Sequence, residues 1–317
     1  MLKKTTKIKI SRLIILSNVI VASCATLKKG NIDIPKEVQS RTVIKDIPKE
    51  QQKEPETITV AKPVEKLEKK KATLPKPVLR TIKNPFKIGE SIRWDLYYIG
   101  IRAASLTVNI EPFVEFNGRK AFHFKGVAQT TSLMKYIYRV YDVIDTYVDY
   151  EQFIPLKMTL TMDESKQNVS MVLNYDHDKG KAYFWKKRID AKKEITELKR
   201  EDEFTPLAQD IFSSLYFMRT HDIKVGDKVD YVVHDNGKNW NMTIEAVKTE
   251  KIWTRLGEVE ALLLHPTVER AGEKFTKGTL YLWVTNDEKK VPIKFEAEVR
   301  IGSLKGYIKD YVQRELK

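Results

Sequence analysis

From Ser91 onward, apolar and polar side chains alternate with a period of two, and this alternation constrains the fold more than any other feature of the chain. Ser91-Ile92-Arg93-Trp94-Asp95-Leu96-Tyr97-Tyr98 reads as a half-buried strand, and Ala104, Leu106, Val108 and Ile110 repeat the pattern after Gly100. Asn117-Gly118 and Asn236-Gly237 are hairpin signals, because the tight turns that match strand twist need positive φ, which Asn and Gly tolerate. Further strand-like runs cover 121–127, 138–147, 156–162, 168–175, 181–188, 228–234, 239–249, 258–268, 279–285, 291–300 and 305–313. One helix interrupts them: Thr205 is a candidate N-cap, Pro206 suits the first helical position, and Ile211, Phe212, Leu215 and Met218 share a face that would pack on the sheet. Residues 85–317 are therefore expected to be mainly β. The pattern predicts a large antiparallel curved sheet or barrel-like domain of about a dozen strands with one principal α-helix.

The N-terminus has a different character. Lys3, Lys4, Lys7, Lys9 and Arg12 precede an apolar run from Leu13 to Ala22, which is too short to span a bilayer as a helix but fits a signal peptide over residues 1–23. Val21-Ala22-Ser23-Cys24 closes the run, and Cys24 is the only cysteine in 317 residues. These four residues resemble a bacterial lipoprotein lipobox. The resemblance implies cleavage after Ser23 and acylation of Cys24; Ala25, where an aspartate would signal retention, implies sorting to the outer membrane. Several acyl chains hold far more firmly than one.

Residues 24–84 read as a tether. They contain Pro35, Pro48, Pro55, Pro63, Pro75 and Pro77 among lysines and glutamates, and no aromatic residue, so little apolar surface is available to offset the entropy of ordering. As a coil about sixty residues long, such a segment would average roughly 45 Å end to end and could stretch towards about 190 Å. The formal net charge of +14 is concentrated in these N-terminal parts. Residues 1–23 carry five basic and no acidic side chains, residues 25–84 fifteen and eight, and the remainder thirty-seven and thirty-five. A near-neutral domain gives no reason to expect a nucleic-acid partner.

Landmarks in the domain also resemble the exported-protein family known as domain of unknown function 3108. They are Gly89-Glu90, Gly100, Asn117-Gly118, Tyr138, Asp142, Gln209-Asp210, Ser213, Tyr216, Arg219, Gly226, Leu256-Gly257, Trp283-Val284-Thr285-Asn286-Asp287, Val291-Pro292 and Gly302-Ser303. The resemblance implies export and a curved all-β body like the half-open barrels of periplasmic lipid and lipoprotein carriers. It supplies no activity.

The chain shows no Gly-rich phosphate loop, nucleophile elbow or zinc-protease motif, so no catalytic, cofactor-binding or metal-binding residue is assigned. Asp176-His177-Asp178 is the most metal-like cluster, but it sits where a hairpin turn calls for Asp. Asp210 and Arg219, nine residues apart on the expected helix, must each look to the sheet for a partner. Asp142, in a tyrosine-rich strand, is the candidate for Arg219. Such charges serve either as a structural ion pair or as ligand contacts. Met158, Leu160 and Met162 share a strand face, near Tyr136, Tyr138, Tyr141, Tyr147, Tyr150 and Met134 in sequence, and suit either a core or an acyl-chain lining. The leading expectation is a non-enzymatic outer-membrane lipoprotein, anchored through acyl chains on Cys24, whose periplasmic domain binds a lipid, another amphipathic envelope ligand or a protein. A scaffolding lipoprotein without a cavity is the alternative, and a hydrolase with an unrecognised site a third.

Overall fold

The computed structural model describes residues 32–53, 56–61, 79–205, 207–270, 273–274, 278–298 and 302–313. Helix α1 (Lys36–Gln39) and strands β1 (Ile44–Asp46), β2 (Thr57–Ala61) and β3 (Leu79–Lys83) come first. A meander follows: β4 (Glu90–Tyr98), β5 (Ile101–Phe116), β6 (Arg119–Thr130), β7 (Val140–Asp149), β8 (Pro155–Glu164), β9 (Gln167–Asp176), β10 (Lys181–Asp190) and β11 (Ile195–Glu203). After helix α2 (Ser213–Arg219) the strands are β12 (Lys228–Asp235), β13 (Lys238–Thr254), β14 (Gly257–Arg270), β15 (Glu273–Lys274), β16 (Leu280–Thr285), β17 (Pro292–Glu298) and β18 (Ser303–Gln313).

All but β2 and β3 join one antiparallel sheet of sixteen strands. Its order is β11-β10-β9-β8-β7-β6-β5-β4-β18-β17-β16-β14-β13-β12, with β1 on β5 and β15 on β14. The last strand thus returns to β4 and joins the two halves. Beyond β11 the chain turns along β12: the Gln209 N–H donates to the Val232 carbonyl (2.9 Å) and the His234 N–H to the Gln209 carbonyl (2.8 Å). The Thr205 N–H reaches Asn239 Oδ1 at 3.2 Å, which draws the two sheet edges towards each other. The result is barrel-like, as the alternation implies. Strand β11 has no counterpart in that alternation, because it is an edge strand rich in charge and mostly exposed on both faces.

Helix α2 lies on the concave face. The Tyr216 ring stacks on Phe124 (4.2 Å between centroids) and meets Phe86 edge-on (5.3 Å), while Phe122 and Phe153 pack around Phe86 at 5.8 and 5.7 Å. Gly126 permits this approach: a Cβ there would stand 2.7 Å from Ile144 Cγ2 and 2.9 Å from the Phe212 ring.

The helix starts later than the Thr205-Pro206 signal predicts. Pro206 lies outside the described residues, Gln209 is extended beside β12, and the helix begins at Ser213. The stronger cap is Asp210, whose Oδ1 accepts from the Phe212 and Ser213 N–H groups (2.8 and 2.6 Å). Ser213 Oγ in turn accepts from the Asp210 N–H at 3.0 Å, the reciprocal arrangement of a capping box.

The expectation of a disordered tether over 24–84 is corrected for the described part of it. Ile32, Ile34 and Val38 pack on Val172 and Trp185 of the outer face, and β1 pairs with Val114–Phe116 of β5. Gln52 Nε2 donates to the Phe113 carbonyl (2.9 Å) while its Oε1 accepts from the Phe113 N–H (2.7 Å). Ile58 and Val60 are buried in the main core. This segment lacks aromatics of its own, but it borrows the domain's apolar surface to offset its ordering entropy. Cys24 and Ser23 lie outside the described residues. Gln52→Ala should strand both backbone groups of buried Phe113 and cost about 2–4 kcal/mol in urea unfolding. A change within about 0.5 kcal/mol would show that the segment is not held this way.

Candidate functional site

Strand alternation assigns the inner face residue by residue. One row across it runs Trp94, Leu106, Ala128, Asp142, Met162, Val169 and Arg188, each directly opposite the next. The neighbouring row, nearer the helix, includes Gly126, Ile144, Leu160, Met171 and Lys186. Where α2 and the phenylalanines fill the concavity, inward side chains are fully buried. Along these two rows Leu106, Leu160, Met171, Lys186 and Arg188 remain partly exposed although they point inward. Leu215 is also partly exposed, one helical turn beyond Ile211 and Phe212. The interior is therefore divided into a packed part and an accessible apolar shelf.

A polar chain borders the shelf. Arg188 Nε donates to Gln167 Oε1 (2.9 Å), Gln167 Nε2 donates to Glu164 Oε2 (2.6 Å), and the Tyr138 hydroxyl donates to the same oxygen (3.0 Å). Asp142 sits beside this chain with 2% of its surface exposed, and its carboxyl is supported by the Asp163 backbone. Burial, reinforced by the charges of Glu164 and Asp163, pushes its pKa up to about 8. At neutral pH the group is mostly a protonated acid, able to donate one hydrogen bond and accept another. An apolar wall with such a group set into it is suited to an amphipathic molecule carrying a polar head.

The other predicted charges separate from it. Arg219 pairs with Glu90, not Asp142. Its Nη1 and Nη2 meet Glu90 Oε1 and Oε2 at 2.5 and 2.9 Å, and its Nε donates to the Lys289 carbonyl at 2.9 Å. The guanidinium also lies 5.3 and 5.2 Å from the Phe86 and Tyr216 ring centres. Asp142 lies inside the meander on β7, whereas Glu90 opens β4, where the end of α2 arrives; sequence separation alone could not distinguish them. Asp210 caps α2 and accepts from the Thr146 hydroxyl (2.6 Å), so its oxygens are committed to the protein. Burial raises its pKa against the lowering effect of these hydrogen bonds.

Met158, Leu160 and Met162 do share the inner face, but the tyrosines disperse. Tyr138 is buried, Tyr150 joins Phe113 and Phe122, Tyr147 stacks on His123, and Tyr136 is 90% exposed. His177 is engaged with the Pro155 carbonyl at 2.6 Å. Glu164, Gln167 and Arg188 were missed in the sequence. Glu164 and Gln167 flank a two-residue turn, and that hairpin spacing was the signal that could have paired them.

Residues 93–309 match the family described as a protein of unknown function, DUF3108. The chain belongs to the DUF3108 family. No curated protein matches it. Among solved structures it is similar to a β-barrel-like protein of domain of unknown function DUF1849 from Brucella abortus, with 8% identity and a TM-score of 0.45, over 72% of this chain and 99% of that one. A Bacteroides fragilis protein described as exported, with a YmcC-like fold, matches at 11% identity and TM-score 0.32, over 73% and 99%. A Parabacteroides distasonis protein described as a lipoprotein matches at 12% and 0.30, over 71% and 96%.

Two outcomes follow from the charges. Because the folded state holds the Asp142 proton more tightly than the unfolded chain does, stability should fall as pH rises from about 4 to about 8. Asp142→Asn should flatten that slope in urea titrations across the range; an unchanged slope rules out Asp142 as its source. Arg219→Met should cost about 3–5 kcal/mol by leaving Glu90 buried without its cation, and adding Glu90→Leu should recover part of the loss in the same measurement.

Proposed function

We propose that this DUF3108 protein is an exported, non-enzymatic lipoprotein, cleaved after Ser23 and acylated on Cys24, that faces the periplasm from the outer membrane. Its domain binds an amphipathic ligand of the cell envelope on the concave shelf. The observation that carries this reading is the set of partly exposed, inward-facing apolar side chains Leu106, Leu160 and Met171 around Asp142, a buried acid. An acyl or other apolar portion lies along Leu106, Leu160 and Met171. The polar head meets Asp142 and the chain formed by Glu164, Gln167 and Arg188. A scaffolding role is the second reading, favoured by the aromatic packing of α2 over much of the same face.

Native mass spectrometry after mild extraction distinguishes the two. Ligand binding predicts an added mass of lipid size that Leu160→Glu removes, whereas a scaffold shows the bare acylated chain. For the anchor, Cys24→Ser should move the protein out of the membrane pellet. If the variant still sediments with outer membranes, the acylation reading fails.

A further inference from the structure

Two connections adjoin at one rim of the sheet: the turn between β4 and β5, and the loop 131–139 between β6 and β7. Ala104 pairs with Thr130, and the Thr131 N–H donates to the Ala103 carbonyl at 3.0 Å, so the loop rises beside the turn. Ile99 and Ile101 are each 60% exposed, Leu133 73%, Tyr136 90% and Ile137 70%. Isolated apolar side chains on a surface need no explanation, but four in two adjoining connections with a fifth at the start of β5 do.

The loop does not collapse to hide them, because it is built from beneath. Met134–Tyr136 forms a 3-10 turn, the Met134 N–H donates to Thr131 Oγ1 (3.3 Å), and the Tyr138 N–H donates to the Met134 carbonyl (2.8 Å). The buried Tyr138 hydroxyl then fixes the loop to Glu164. Over 99–102 and 131–139 the charged residues are Arg102, Lys135 and Arg139, with no acid. Asp95 and Asp163 hold the two arginines, which leaves exposed Lys135 beside Tyr136 as the charge carried with the apolar group. Leucine, isoleucine and tyrosine around a lysine, without carboxylates, are complementary to an anionic lipid surface.

Chain length supports the same occupant. Cys24 precedes Ile32, which packs by Trp185, by eight residues, a reach of at most about 28 Å. Counting three strands across and five residues along the sheet, the start of β7 below the loop lies about 22 Å from Trp185. A single bilayer can therefore take both the acylated terminus and the rim.

We infer that this rim is a membrane-contact surface, with Leu133, Tyr136 and Ile137 seated in the interface of an anionic bilayer alongside Ile99 and Ile101. Its orientation rests on the lipoprotein reading above, but its affinity does not. The test uses the unacylated chain from residue 24 onward carrying Cys24→Ser, which keeps every described residue. The probe is flotation with vesicles of phosphatidylethanolamine and phosphatidylglycerol. The unacylated chain should float, and Leu133→Ser, Tyr136→Ser and Ile137→Ser together should lower its partitioning at least about tenfold with an unchanged thermal melt, since these side chains support no core. A chain that stays at the bottom of the gradient, or a triple variant that floats equally, overturns the proposal. So does a wild-type dimer that the triple variant converts to monomer without any vesicle binding, because the rim would then join two copies. None of these results depends on an acyl group, so failure here leaves the fractionation test of Cys24 standing.

Discussion

A curved sheet of this length has an inner face that its own strands leave open, and the fold depends on how a seven-residue helix covers part of it. The Arg219–Glu90 pair makes that possible. It binds the end of α2 to the first strand of the meander, with both side chains wholly shielded from water. Two buried charges are expensive unless the geometry is good and the remaining donors are used. Here the guanidinium is bidentate, reaches the Lys289 carbonyl with its third nitrogen, and lies near two aromatic rings. At the other end of the helix Asp210 performs a comparable task, capping α2 while gripping Thr146 of β7. The helix is fixed at both termini, and the rows beyond Phe212 keep their partial exposure.

Much of this was legible in the sequence. Period-two alternation located the buried strands of the meander because each has one face on the core, and the Asn-Gly pairs located the tight turns β5–β6 and β12–β13. The same signal misses β11, where charge on both faces leaves nothing to alternate. It also misses the strands before residue 84, whose apolar side chains are few and meet partners far away in the chain. Trp185 and Phe113 order that segment, and no local window contains them.

The site was legible only in part. Asp142, Asp210 and Arg219 stood out as charges on elements that had to be buried, and all three are buried. Their partners depend on which strands end beneath the helix, and that is a property of topology. Glu90 lies 129 residues from Arg219 in the chain. The accessible shelf is equally a product of assembly: Leu160 and Met171 have the same local pattern as Met158 and Leu173, and only the position of α2 leaves the first two partly open.

The docking of residues 32–53 also changes the energetics of any membrane contact. A coil of about sixty residues would dilute the domain through a large volume, whereas attachment at Cys24, eight residues before docked Ile32, would confine it. Short flexible linkers give effective concentrations in the millimolar range. With Cys24 acylated, a surface that binds lipid only weakly as a free domain would be occupied most of the time.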